Sequence, residues 1–210
     1  MLNLLAVWLQ IGPIWPSGTQ VAQELKLLPG YAQDAWVGYR AQRQGQIHLY
    51  VHHLDSSGYS HTSQSGWNLS AGDSLPVLAW DGFVGSDNRL YGAYLCAGRL
   101  NTFSLSGDNR FLWRDHIPLA GQAGEVRVWA APQQAFMIAL LTGKEVILYG
   151  YTTHGEKRFV VRVDTSSHPR RHLRVLSSAS DGIWLIWEAF TDKNWNLMAQ
   201  KFGWEGRPLS

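Results

Sequence analysis

Four carboxylates are placed where they could do chemistry. Asp81 and Glu188 each follow a tryptophan at the end of an apolar run, in Trp80-Asp81-Gly82-Phe83 and Trp187-Glu188-Ala189-Phe190, while Asp73 and Glu125 precede such runs. Two carboxyl groups across a cleft are what glycoside hydrolysis needs, one as acid and one as base or nucleophile. The more common role for such residues is to cap a turn or pair with a basic neighbour. Arg170 and Arg171 belong to the one basic cluster, His168-Pro169-Arg170-Arg171-His172-Leu173-Arg174. Guanidinium groups there could hold a carboxylate, phosphate or sulfate, or the run could be a solvated turn. Tyr39 and Arg40 end another apolar stretch. A tyrosine beside a binding rim stacks on a sugar ring, although core packing competes for the same residue.

Other chemistries find little support. His52 and His53 are adjacent, so on a strand they face opposite ways. His48 and His52 share a face but lack a third ligand nearby, so no metal site is expected. There is no phosphate-binding loop, dinucleotide fingerprint or Gly-x-Ser-x-Gly elbow. No cofactor is expected.

The elements that would carry these residues are short strands joined by turns. Ile183 to Trp187 is an apolar run, a polar turn follows, and Asn196 to Phe202 is a second run, which is a hairpin signature. The unit recurs. Leu78-Ala79-Trp80-Asp81-Gly82-Phe83 lies on Leu185-Ile186-Trp187-Glu188-Ala189-Phe190, and Leu90-Tyr91-Gly92-Ala93 then falls on Leu197-Met198-Ala199-Gln200 without a gap. Val37-Gly38-Tyr39-Arg40 with Leu49-Tyr50-Val51-His52 is a further copy. Phe136-Met137-Ile138-Ala139 with Leu148-Tyr149-Gly150-Tyr151 is a weaker one, and Asn3-Leu4-Leu5-Ala6 is a fragment. The anchoring leucines Leu4, Leu49, Leu90, Leu148 and Leu197 are 45, 41, 58 and 49 residues apart. Strand repeats of roughly 40–50 residues indicate a β-propeller.

The expected architecture is therefore all-β, a propeller of four to five blades of four-stranded antiparallel sheets, either complete or part of a larger ring. Residues 1–210 are read as one domain. The third strand of each blade is assigned to an anchoring leucine. Both faces of Ile183 to Trp187 are apolar, so that strand is expected to be covered on both sides, with Trp80 and Trp187 packed between blades.

Composition agrees. The 210 residues include 21 glycines and 11 tryptophans, and only 16% are charged. Turns and aromatics in such numbers suit short strands. A net charge of +2 provides no field for nucleic acid. A single cysteine, Cys96, excludes an intrachain disulfide. No apolar stretch is long enough to span a bilayer as a helix. Met1 to Pro16 lacks the basic start and the small-residue cleavage site of a signal peptide, and it aligns with a repeat strand. The compartment is not specified.

The stretch from Trp187 through Asn194-Trp195-Asn196-Leu197-Met198-Ala199-Gln200-Lys201-Phe202 resembles bacterial propeller repeats that run tryptophan, acid, short turn, apolar strand and glycine turn. It is also similar to the repeats of TolB-like propellers. That resemblance implies a propeller and, for the most part, ligand or protein binding. Ser180-Asp181-Gly182 departs from the sialidase Asp-box, Ser-x-Asp-x-Gly-x-Thr-Trp. In a propeller the loops entering each blade and those joining its second and third strands share one face. Arg40, Asp81 and Glu188 are then expected on that face, with Asp73 and Glu125 at the starts of first strands.

The leading expectation is a non-catalytic module that recognises a glycan or a protein on this face, through Tyr39, Arg40, Asp81, Glu188, Arg170 and Arg171. The competing class is a glycosidase-like enzyme using two of Asp73, Asp81, Glu125 and Glu188. A third is a structural fragment that self-associates or has its ring completed by another chain. Carboxylates convergent in a cleft favour the enzyme; scattered, Arg-paired carboxylates favour binding.

Overall fold

A computed structural model describes residues 22–30, 34–57, 66–121, 123–132, 135–143, 145–178 and 181–209. The described residues form sixteen strands in four antiparallel sheets, each built from four consecutive strands. The first sheet holds β1 (Ala22–Pro29), β2 (Ala35–Arg43), β3 (Gln46–Leu54) and β4 (Trp67–Asn68). The second holds β5 (Val77–Val84), β6 (Leu90–Cys96), β7 (Arg99–Leu105) and β8 (Phe111–Pro118). The third holds β9 (Ala123–Ala131), β10 (Ala135–Thr142), β11 (Val146–Thr152) and β12 (Lys157–Asp164). The fourth holds β13 (Arg170–Ser178), β14 (Gly182–Thr191), β15 (Asn194–Phe202) and β16 (Pro208–Leu209).

The first strands of successive sheets pack on one another, β1 on β5, β5 on β9 and β9 on β13, so they lie innermost. The sheets are thus blades of a β-propeller arrayed about an axis.

Each pair of adjacent blades is joined by an apolar seam. Trp36, Leu49 and Val51 of the first blade meet Val77, Trp80, Leu90 and Tyr94 of the second. Tyr91, Ala93 and Leu95 meet Val126, Phe136 and Ile138 of the third. Met137, Ala139 and Leu148 meet Leu173, Ile183, Leu185 and Trp187 of the fourth. Strands walled on both sides are apolar on both faces. Accordingly β6 and β10 are buried at every position. Trp80 and Trp187 are both buried between blades, as their sequence context suggests.

The fourth blade departs from the expectation of two covered faces. Ile183, Leu185 and Trp187 of β14 are buried, but Trp184 and Phe190 on its other face are exposed. On the first blade the outer face is lined by Val37, Tyr39, Ala41, Tyr50 and Leu54, a buried cluster drawn from β2 and β3 alone.

The repeat alignment needs one correction. Leu49, Leu148 and Leu197 lie on third strands, but Leu90 opens β6, the second strand of its blade. The hairpin Leu78–Phe83 with Leu90–Ala93 is thus the first pair of its blade, whereas the hairpin it matches in the fourth blade is the middle pair. The third strand of the second blade is β7, and third strands begin at Gln46, Arg99, Val146 and Asn194, a nearly even march. Leu4 and the Asn3–Ala6 fragment lie outside the described residues.

Candidate functional site

The innermost strands bring one set of charged side chains together near their starts. In β1 the pairing register breaks between Gln23 and Lys26, and Glu24 sits in the bulge with φ of 53°. In β13 the register breaks between Arg171 and Arg174, and His172 takes φ of 59°. Bulges of this kind redirect a side chain out of the alternating pattern. The two bulges are equivalent: Gln23 lies opposite Arg40, and Arg171 opposite Glu188. The pairs they make are charge-reversed. Arg40 Nε is 2.8 Å from the Glu24 carboxylate. His172 Nδ1 is 3.3 Å from the Glu188 carboxylate, and Arg171 Nε donates to Glu188 at 2.7 Å.

Each innermost strand is also bonded to the next through a charged side chain. Lys26 donates to the Trp80 carbonyl at 2.7 Å and to Asp81 at 2.8 Å. The other oxygen of Asp81 accepts the Val128 N–H at 2.8 Å. Glu125 binds Arg127 at 2.9 Å and accepts the His172 N–H at 2.7 Å, with Arg174 at 3.8 Å. Arg40 donates across the first seam to the carbonyls of Val77, at 3.2 Å, and Leu78. The axis is therefore laced by carboxylates and cations that are already partnered. Arg171, and after it His172, hold the Glu188 carboxyl below its ordinary range. The Arg171 guanidinium also lies 3.9 Å above the Trp195 ring, a cation–π contact.

Of the residues singled out in the sequence, the fold gathers Arg40, Asp81, Glu125, Glu188 and Arg171 around the axis. Asp81 arrives there from β5, an innermost strand, rather than from a second strand. Three others sit elsewhere. Tyr39 is fully buried, stacked on Tyr50 and His52, with its hydroxyl 3.2 Å from His52 Nε2, so it offers no platform to a sugar. Arg170 has a side-chain exposure of 0% and is clamped in two-pronged fashion by Asp164, both contacts at 2.8 Å. It also donates to the His168 carbonyl, while the Trp187 indole donates to Asp164 at 3.2 Å. This arginine is a structural tie, and it pulls the Asp164 carboxyl far below its usual range. Asp73 lies ahead of β5, with its side chain 7% exposed, between Arg99, Arg114 and the Tyr94 hydroxyl.

Lys26, Arg127, His172 and Arg174 join the axial group without having been singled out as site residues. The bulges at Glu24 and His172 break the alternation by which a strand's faces are read, so only the His168 to Arg174 run hinted at them.

A cleft of about 540 Å³ opens at the other end of the innermost strands, between the second and third blades. Phe83, Tyr91, Ala131 and Pro132 line it with Asp87 and Arg89 at its edge. The Tyr91 hydroxyl donates to Asp87 at 2.6 Å, and burial first, then that bond, push the phenol up to about 12. None of the axial carboxylates lines this cleft. Among the described residues no group of three or more His, Cys, Asp or Glu is placed to hold a metal ion.

No protein-family model matches the chain, and no curated protein matches it in sequence. The likeness to TolB-like repeats therefore stands on the residues alone. Solved structures do share the fold. The catalytic domain of a GH62 α-L-arabinofuranosidase from Coprinopsis cinerea superposes with a TM-score of 0.55 at 10% identity, over 95% of this chain and 72% of that one. An exo-β-1,3-galactanase from Phanerochaete chrysosporium, solved with galactose, gives 0.56 at 9% identity, over 94% of this chain and 50% of that one. An α-L-arabinofuranosidase from Podospora anserina, solved with cellotriose, gives 0.52 at 10% identity, over 94% and 70%. At such identities the likeness establishes the propeller fold and nothing finer.

Proposed function

We propose that the protein is a glycan-binding propeller module whose ligand meets the axial face where the innermost strands begin, without being cleaved there. One observation carries this reading: every axial carboxylate is already neutralised. Asp81 has Lys26 and the Val128 N–H, Glu125 has Arg127 and the His172 N–H, and Glu188 has Arg171 and His172. A glycosidase needs one carboxyl held protonated, its pKa raised, to protonate the leaving oxygen. The partners of Glu188 push it the opposite way. Partnered carboxylates and exposed guanidinium groups instead form a rigid array of acceptors and donors suited to hydroxyl groups. The glycan ligand is supported by the fold neighbours solved with cellotriose and with galactose. Arg171, His172 and Arg174 are exposed on this face and would supply donors.

Tryptophan fluorescence titrated with cellotriose, xylotriose and galactose tests it, with product release assayed in the same samples. Saturable binding without product, lost in Arg171→Ala, supports the module. Product that disappears in Asp81→Asn or Glu188→Gln would overturn it in favour of the enzyme. Binding that is saturable but unchanged by Arg171→Ala would move the ligand off this face.

A further inference from the structure

The outer face of the fourth blade repeats, at three apolar positions in the same register, a face that the first blade buries. Leu28 lies opposite Trp36, and Leu176 opposite Trp184. Arg40 lies opposite Leu49, and Glu188 opposite Leu197. The register breaks coincide, so Leu28, Trp36 and Leu49 occupy the same three positions as Leu176, Trp184 and Leu197. In the first blade the second blade covers them, and Trp36 and Leu49 are both 0% exposed. In the fourth blade Leu176, Trp184 and Leu197 are 55%, 39% and 73% exposed. Phe190 and Trp195, which lie opposite one another on the same face, add two more exposed rings. Contiguous apolar surface of this kind, ringed by charge, marks a protein contact. Its chemistry is that of a blade seam with one wall missing.

We infer that this face is a self-association surface on which the fourth blade of a second copy packs. A sheet is the partner the face is made for, because the equivalent face of the first blade receives one. The charges identify the sheet as its own. At one end Arg171 is paired with Glu188 at 2.7 Å, beside Leu197. At the other end Lys201, directly opposite Trp184, reaches Asp181 at 2.5 Å. Both ends carry both signs. A two-fold axis through the middle of the face, near Ile186 and Ala199, sets the Arg171–Glu188 end of one copy against the Lys201–Asp181 end of the other. That is the self-complementarity a two-fold interface requires. This face shares Arg171 and Glu188 with the glycan reading, but Trp184 and Leu197 take no part in the axial array, so variants at those two positions separate the two.

Sedimentation equilibrium on the full chain over a wide concentration range tests it, beside Leu197→Lys and the double variant Trp184→Ser/Leu197→Ser. Both positions are solvent-exposed in the single chain, so the variants should fold with unchanged circular dichroism. The expected result is a dimer whose dissociation constant rises at least tenfold in each variant. A chain that stays monomeric throughout overturns the proposal, as does a dimer indifferent to both variants. A third result would also overturn it: a monomer that begins to associate once residues 1–21 are removed, which would make that segment the natural cover.

Discussion

Gly38→Ala gives the sharpest test of how the blades hold together. Gly38 lies on β2, facing the second blade, and a Cβ there would stand 2.2 Å from Cη2 of Trp80, 2.7 Å from Cζ2 and 2.9 Å from Cζ3. The indole cannot easily yield. It is fully buried, its Nε1 donates to the Glu24 carbonyl at 3.3 Å, and Lys26 sits 5.0 Å over its ring. Overpacking of this kind costs about 1–3 kcal/mol, and three ring atoms in conflict place this site at the upper end, about 3 kcal/mol. For a chain of this length that is a fall in Tm of about 6–12 °C. Trp80→Leu removes the ring and costs up to the ~3–5 kcal/mol of a large-to-small change. It also vacates the space that a methyl at position 38 needs. The double variant should therefore be more stable than the sum of the singles by about 2 kcal/mol, within the range seen for residues in contact. Urea denaturation followed by circular dichroism measures all four corners of the cycle. Strict additivity, within about 0.5 kcal/mol, would refute the claim that the glycine exists to admit the indole.

Asp164→Asn should cost about 3–5 kcal/mol at neutral pH, because it strands the buried Arg170 without its counter-charge. The Asp164 carboxyl is depressed in the folded state, so its contribution is present above pH ~4 and is lost as the pH falls through the lower folded value. The variant's stability should accordingly decline less steeply than the parent's below pH ~4, read from urea midpoints across an acid series. In Arg171→Gln the Glu188 carboxyl should titrate higher than in the parent, since the first cause of its depression is gone; carbon-detected NMR of the side chain reports this, and an unmoved midpoint would contradict the pairing. Cys96 is buried, and burial pushes its thiol up to about 11, so a disulfide reagent at pH 8 should label it only after denaturant is added.

Much of the fold is legible in the sequence because hydrophobic alternation and turn residues carry it. The hairpin expected at Ile183 to Trp187 and Asn196 to Phe202 is found as β14 paired with β15, each run lying inside its strand. What misleads is the match between Trp80-Asp81-Gly82-Phe83 and Trp187-Glu188-Ala189-Phe190. The first is on an innermost strand and the second on its neighbour. Adjacent strands of a blade are both apolar and both end in a turn, so the pattern fixes the hairpins but not which of them is nearest the axis. Partners are hidden for a different reason. Arg170 and Arg171 are neighbours in the chain, yet one is sealed against Asp164 and the other reaches Glu188 and Trp195. Composition cannot separate them; the alternation of β13 could have, had the bulge at His172 been visible.

The sheets follow the chain, strand after strand, with no crossover. Among the described residues every main-chain ladder joins two strands that are consecutive in the chain, and the entropy of closing the connections between them grows only slowly with their length. Secondary structure can form within one blade without waiting for the others. Cooperativity must come from the seams, where Trp36 meets Trp80 and where Phe136 meets Tyr91. A chain with weakened seams should then behave like a short repeat array, in which each unit's stability and the nearest-neighbour interfaces contribute separately. In Trp80→Ala the slope of unfolding against urea should fall along with the midpoint, as the first blade begins to melt apart from the rest. A steep, single transition of unchanged slope would instead mean that the axial lacing of Lys26, Asp81 and Val128 is enough to make the blades unfold as one.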